Sequence, residues 1–125
     1  ARTVRDWALA ALERPVHVTV RFVGAREGRT LNRTYRGRDY ATNVLTFEYG
    51  EHGGALLGDI VLCAPVVKRE AKEQGKAVRA HYAHLIVHGM LHLQGYLHDR
   101  PRDAERMESR EIAILRGLGF DNPYE

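Results

Sequence analysis

The chain has 125 residues, 44% of them apolar and 28% charged, which is ordinary globular composition and points to one domain with a real core. That balance excludes a disordered, collagenous or repeat-built chain. The longest apolar stretch, near 55–67, is broken by Gly58, Asp59 and Pro65, so it is too short to span a membrane. The net charge is +3, carried by 16 Arg against 3 Lys. Five arginines (Arg26, Arg29, Arg33, Arg36 and Arg38) fall close together, and planar guanidinium forks suit a polyanionic partner, although charge alone favours a solvated, Arg-rich surface. Cys63 is the single cysteine and no charged-then-apolar leader opens the chain, so the expected setting is a reducing cytoplasm.

In chain order, residues 4–14 place Trp7, Ala8, Ala11 and Leu12 on one helical face, with Pro15 as the stop. Val16, Val18, Val20 and Phe22 then alternate with polar residues, the pattern of a half-buried strand. A short helix is expected over 26–35 and an exposed loop over 36–42. Leu45, Phe47 and Tyr49 mark a second strand, and Gly50, Gly53 and Gly54 a turn. The continuous apolar run 57–63 reads as a central strand. Pro65 suits the first turn of a helix reaching about Gly75. Two helices follow, at about 78–94 and 102–116, and the first is apolar most of the way round. The expected fold class is a small mixed α/β (α+β) domain over 1–125. It has three or four strands and about five helices, with a metal site on a central helix and the turn after it.

Five of the seven histidines lie between 81 and 98. His84, His88 and His92 recur every four residues on the apolar helix, so they share one face. Gly95 can turn the chain sharply and swing His98 back towards His88 and His92. The spacing H-x-x-x-H-x-x-G-x-x-H resembles the ligand frame of metzincin zinc sites. Three neutral imidazoles leave a fourth position open, which is a catalytic arrangement rather than a closed structural one. His88, His92 and His98 are therefore the candidate ligands of one Zn2+ or another divalent transition metal. His81 and His84 read as packing, supporting or substrate-facing residues, and His17 and His52 as surface. In metzincins the residue after the first ligand is the glutamate base of peptide hydrolysis; here it is Gly89, which disfavours a peptidase.

The segment H-G-M-L-H-L-Q-G-Y-L-H (88–98) resembles the signature of the YbeY family of bacterial metal-dependent endoribonucleases, rRNA maturation factors. Further blocks carry the likeness across nearly the whole chain: L-N-R-T-Y-R-G-R-D-Y-A-T-N-V-L-T-F (31–47), L-G-D-I-V (57–61), E-A-K-E-Q-G-K (70–76) and L-G-F-D-N-P-Y (118–124). The chain departs from the family at Leu97, where an Asp is usual, and at Glu48, where a Pro is common. A strand usually precedes the first helix in relatives, so one strand fewer is expected.

The resemblance implies hydrolysis of RNA, as rRNA in ribosomal particles. Arg36 and His88 would be catalytic, and Arg33, Arg36 and Arg38 would contact RNA. Arg36, on a loop, would stabilise charge at the scissile phosphate while its neighbours track the backbone. Asp59, in an apolar run, either anchors something near the site or sits at a strand end. Cys63 and Met107 read as core. Two other classes stay open: a zinc metallopeptidase-like hydrolase, and a non-catalytic ribosome-associated module with a structural metal. No oligomeric state follows from the sequence.

Overall fold

The computed structural model describes residues 3–125 and has eight elements. These are α1 (Val4–Ala10), β1 (Val16–Val23), α2 (Ala25–Arg36), β2 (Val44–His52), β3 (Ala55–Cys63), α3 (Ala64–Gln74), α4 (Val78–Leu93) and α5 (Pro101–Gly117). The three strands form one mixed sheet in the order β1-β3-β2, with β3 parallel to β1 and antiparallel to β2. The continuous apolar run of β3 has a simple cause: both faces of the strand are covered. Ile60 and Leu62 join the larger core around α4, with Trp7, Ile86, Met90, Met107 and Leu115. Val61 and Cys63 face the other way, into a smaller core with Val23, Leu45 and Val66, closed by Leu31 of α2.

Helix α4 is the centre of the molecule. The sheet, α1, α3 and α5 all contact it, so His81, Ala83, Leu85, Ile86, Val87, Gly89, Met90, Leu91 and Leu93 are buried. Past its first turn, the half-open residues are Tyr82, against Phe22 of β1, and the stripe of His84, His88 and His92. Apolar residues on nearly every side thus reflect neighbours on nearly every side, and the histidines mark the gap. No helix among the described residues is long and apolar enough to cross a membrane.

Three expectations need correction. The first helix ends at Ala10, not near Arg14, and Leu12 is 42% exposed. The cause is Gln94, buried at the end of α4. Its carboxamide accepts hydrogen bonds from the backbone N–H groups of Glu13 (2.6 Å) and Arg14 (2.8 Å) and donates to the carbonyl of Ala11 (2.8 Å). Those bonds satisfy the 11–14 backbone outside a helix, so Pro15 is not the stop. Phe22, expected on the buried side of β1, is half exposed because β1 is an edge strand, and its ring meets Tyr82 edge-on at 5.5 Å. The second helix extends to Arg36 and is capped by Gly37 in the left-handed region, so Arg36 stands in a last helical turn rather than in a loop.

Candidate metal centre

The half-open stripe of α4 presents His84, His88 and His92 in successive turns, and the chain then reverses. Gly95 adopts φ +103°, a conformation a side chain disfavours, and its N–H bonds back to the carbonyl of His92 at 3.1 Å. The reversal carries His98 to the stripe. Its ring centroid lies 5.5 Å from that of His88 and 5.8 Å from that of His92. Among the described residues, no three His, Cys, Asp or Glu side chains stand close enough, as arranged, to hold an ion. A tetrahedral tripod with metal–nitrogen distances of ~2.1 Å needs ring centroids roughly 5 Å apart. The His98 ring is within about 1 Å of that spacing on both sides. His98 is exposed on the turn, so a small adjustment there is inexpensive.

A carboxylate that the sequence patterns above do not single out organises this stripe. Glu111 of α5 is fully buried. Its Oε2 lies 2.5 Å from Nδ1 of His88, its Oε1 lies 3.0 Å from Nε2 of His84, and the hydroxyl of Tyr124 also donates to Oε1. Burial alone would raise this carboxyl, but the bonds from His84, His88 and Tyr124 outweigh it and hold the pKa at about 2. Ionised at neutral pH, Glu111 can only accept, so the proton of neutral His88 must sit on Nδ1. That leaves Nε2 of His88 bare, the form a metal ligand requires. Burial first, and then the bond to Glu111, push the Tyr124 hydroxyl pKa upward.

His92 differs. Its Nδ1 is buried without a hydrogen-bond partner, and its Nε2 stands 3.6 Å from Oε1 of Glu48. Burial, above all, holds this imidazole below its usual range; Glu48 opposes that, while His88, His98 and Arg36 reinforce it. A neutral imidazole with an unpartnered nitrogen fits a ligand of a cation.

The other sequence candidates are placed as follows. Arg36 reaches round the edge of the sheet and donates to the carbonyl of Thr46 on β2 at 3.2 Å, and its charge is felt at His92. Asp39 is paired not with Arg36 but with Arg29 (2.8 and 3.0 Å) and, at 3.9 Å, with Arg33. Arg38 donates to the hydroxyl of Tyr40. His81 is buried against Glu70 at 2.9 Å, and Asn43 donates to the same oxygen at 2.9 Å, so this pair is separate from the three rings. Asp59 accepts from the Tyr49 hydroxyl at 2.8 Å and shares a face of β3 with Val61 and Cys63, away from α4. It therefore anchors none of the imidazoles. Cys63 and Met107 are core residues, and Leu97 is 53% exposed.

Gly89, where a metzincin has its glutamate, faces the sheet. A Cβ there would meet Cδ1, Cγ1 and Cγ2 of the fully buried Ile60 at 3.0, 3.2 and 3.3 Å. Gly89→Glu is therefore expected to cost at least about 1–3 kcal/mol by overpacking, before the charge is counted. The check is a lower urea midpoint at unchanged slope.

Two of the residues that the sequence patterns do not mark as functional nevertheless carry a legible signal. Glu111 follows Met107 by four positions and precedes Leu115 by four, so a carboxylate sits on the apolar stripe of its helix. Glu48 alternates in register with Val44, which packs on the α4 side of the sheet. Tyr124 had no such signal, because the contact is made by an irregular tail.

A family model described as Endoribonuclease YbeY matches residues 2–119. A protein named Endoribonuclease YbeY from Azoarcus sp. is 63% identical over 97% of this chain. Relatives of the same name from Aromatoleum aromaticum and Paraburkholderia phymatum are 63% and 60% identical over 97% and 98% of it. The chain spans 51% of the length of the Azoarcus protein, and 78% and 81% of the other two. A solution structure of a Thermotoga maritima protein superposes with TM-score 0.59 at 25% identity, covering 93% of this chain and 79% of that one. A match over nearly every residue, together with this identity to its named members, places the chain in the Endoribonuclease YbeY family.

Proposed function

We propose that this chain is a metal-dependent endoribonuclease that hydrolyses RNA phosphodiester bonds, acting on rRNA during its maturation in the reducing cytoplasm. One observation carries the reading: on the open stripe of α4, Nδ1 of His88 is held by the buried Glu111, beside His92 and His98 and within the field of Arg36. His88, His92 and His98 would hold one Zn2+ per chain. An ion there would supply Lewis-acid polarisation of a phosphoryl oxygen and would lower the pKa of water to ~7.

The protein groups divide the remaining work. Arg36 pairs with the scissile phosphate and stabilises the charge that develops on it, while Arg33 and Arg38 position the flanking backbone. Glu111 keeps His88 in one tautomer and one orientation throughout. Glu48, 3.6 Å from His92, would take a proton from the attacking water, since position 89 carries no carboxylate. The space beside Gly89 is filled by Ile60, so no base stands at the metzincin position, which disfavours the peptidase alternative. A half-open site is also the wrong shape for a purely structural metal.

The test is RNA cleavage by purified protein before chelation, after chelation and after zinc is returned. Cleavage that disappears and comes back supports the reading. Cleavage that survives complete metal removal overturns it.

A further inference from the structure

The outward face of α2 is not explained by the chemistry at α4. Arg26, Arg29, Arg33 and Arg36 are spaced three, four and three residues apart, so their side chains leave one face of the helix. Gly28 and Asn32, on the neighbouring face, are buried, while all four arginines are exposed to solvent. Arg36 closes the row at the β2 edge, where its charge reaches His92. From there the row runs away from the centre for roughly 15 Å at ~1.5 Å per residue.

Asp39, 54% exposed, sits against the row. It takes a two-point bond from the Arg29 guanidinium at 2.8 and 3.0 Å and lies 3.9 Å from Arg33. This is the geometry a phosphate would adopt on the same fork. An exposed pair of this kind is weak, so a polyanion can displace it. Arg26 has no ion-pair partner among the described residues. Tyr40, 52% exposed, follows Asp39 directly and holds Arg38 through its hydroxyl. An exposed ring set among guanidiniums is how proteins hold unpaired bases beside a backbone.

We propose that the outer face of α2 is a phosphate-binding rail for single-stranded RNA flanking the scissile bond, and that Asp39 is its internal counter-anion, released when RNA binds. The inference rests on the endoribonuclease reading for the identity of its ligand. An acidic protein segment would satisfy the charges, but would use neither the aromatic face nor the row's approach to the histidines.

The experiment is fluorescence anisotropy of a labelled oligouridylate against KCl concentration, using the wild type, an Arg26→Ala/Arg29→Ala double variant and Asp39→Asn. The double variant is expected to bind roughly tenfold more weakly, with its log–log salt slope reduced by about 1.4, at ~0.7 per lost phosphate contact. Asp39→Asn is expected to bind several-fold more tightly. Unchanged affinity and slope in the double variant, or no gain in Asp39→Asn, overturns the rail or its counter-anion respectively. A larger loss on a labelled polyaspartate peptide than on RNA reassigns the surface to protein and also overturns the proposal. Binding is read without cleavage, so a chain that grips RNA along α2 yet cuts none contradicts the function while leaving the rail intact.

Discussion

Glu111→Ala is expected to cost on the order of 3–5 kcal/mol of folding stability and to weaken binding of a divalent ion by about 10–100-fold. The carboxylate is fully buried and serves three donors, from His84, His88 and Tyr124. Truncation leaves those donors without an acceptor in a space water does not freely enter, so the unsatisfied groups add to the cavity. Ion binding falls for a different reason: nothing then fixes the His88 proton on Nδ1, and the ring loses its orientation.

A pH signature separates this carboxylate from an ordinary core deletion. The carboxyl pKa is about 2 in the folded chain against an ordinary value of 4.5. A depressed carboxyl contributes stability that is fully present above its unfolded pKa and lost as pH falls towards the folded one. Urea unfolding of metal-free protein is therefore expected to show stability declining between about pH 4.5 and pH 2. Glu111→Gln should flatten that decline. Equal pH slopes for Glu111→Gln and wild type would mean that the carboxylate is not charged in the folded state.

Arg36→Ala is expected to lower single-turnover RNA cleavage by about 10²–10³-fold, the typical loss for one transition-state donor. Stability should stay within about 0.5 kcal/mol, because the side chain is exposed. Its hydrogen bond to the Thr46 carbonyl holds the guanidinium at the sheet edge, where its charge reaches His92, and leaves donors on the fork for a phosphate. Metal content, measured by elemental analysis, should not change. Arg36→Lys keeps the charge but not the planar fork, and is expected to recover only part of the rate. Normal cleavage by Arg36→Ala would remove the residue from the chemistry altogether.

The central strand, the helix at 78–94 and the three-histidine spacing are legible in the amino-acid sequence, because they follow from patterns tied to burial and to the helical repeat. These signals are local in the chain and strong because α4 is covered on nearly every side. What escaped was set by contacts between distant residues. The early end of α1 depends on the Gln94 carboxamide, about eighty positions away. Tyr124 joins Glu111 and His84 only because the tail folds back on α4. The position of Arg36 was readable at one remove: Gly37 is a helix stop, so the last turn could have been extended to Arg36. The contact of Asp39 with both Arg29 and Arg33 is a charge balance that composition does not reveal.

The most direct measurement is anomalous diffraction at the zinc edge from crystals of the zinc-loaded protein. The expected result is one strong peak within ~2.0–2.1 Å of a nitrogen from each of His88, His92 and His98, with His88 coordinating through Nε2. A peak bound by other residues, or none at saturating zinc, would contradict the three-imidazole centre.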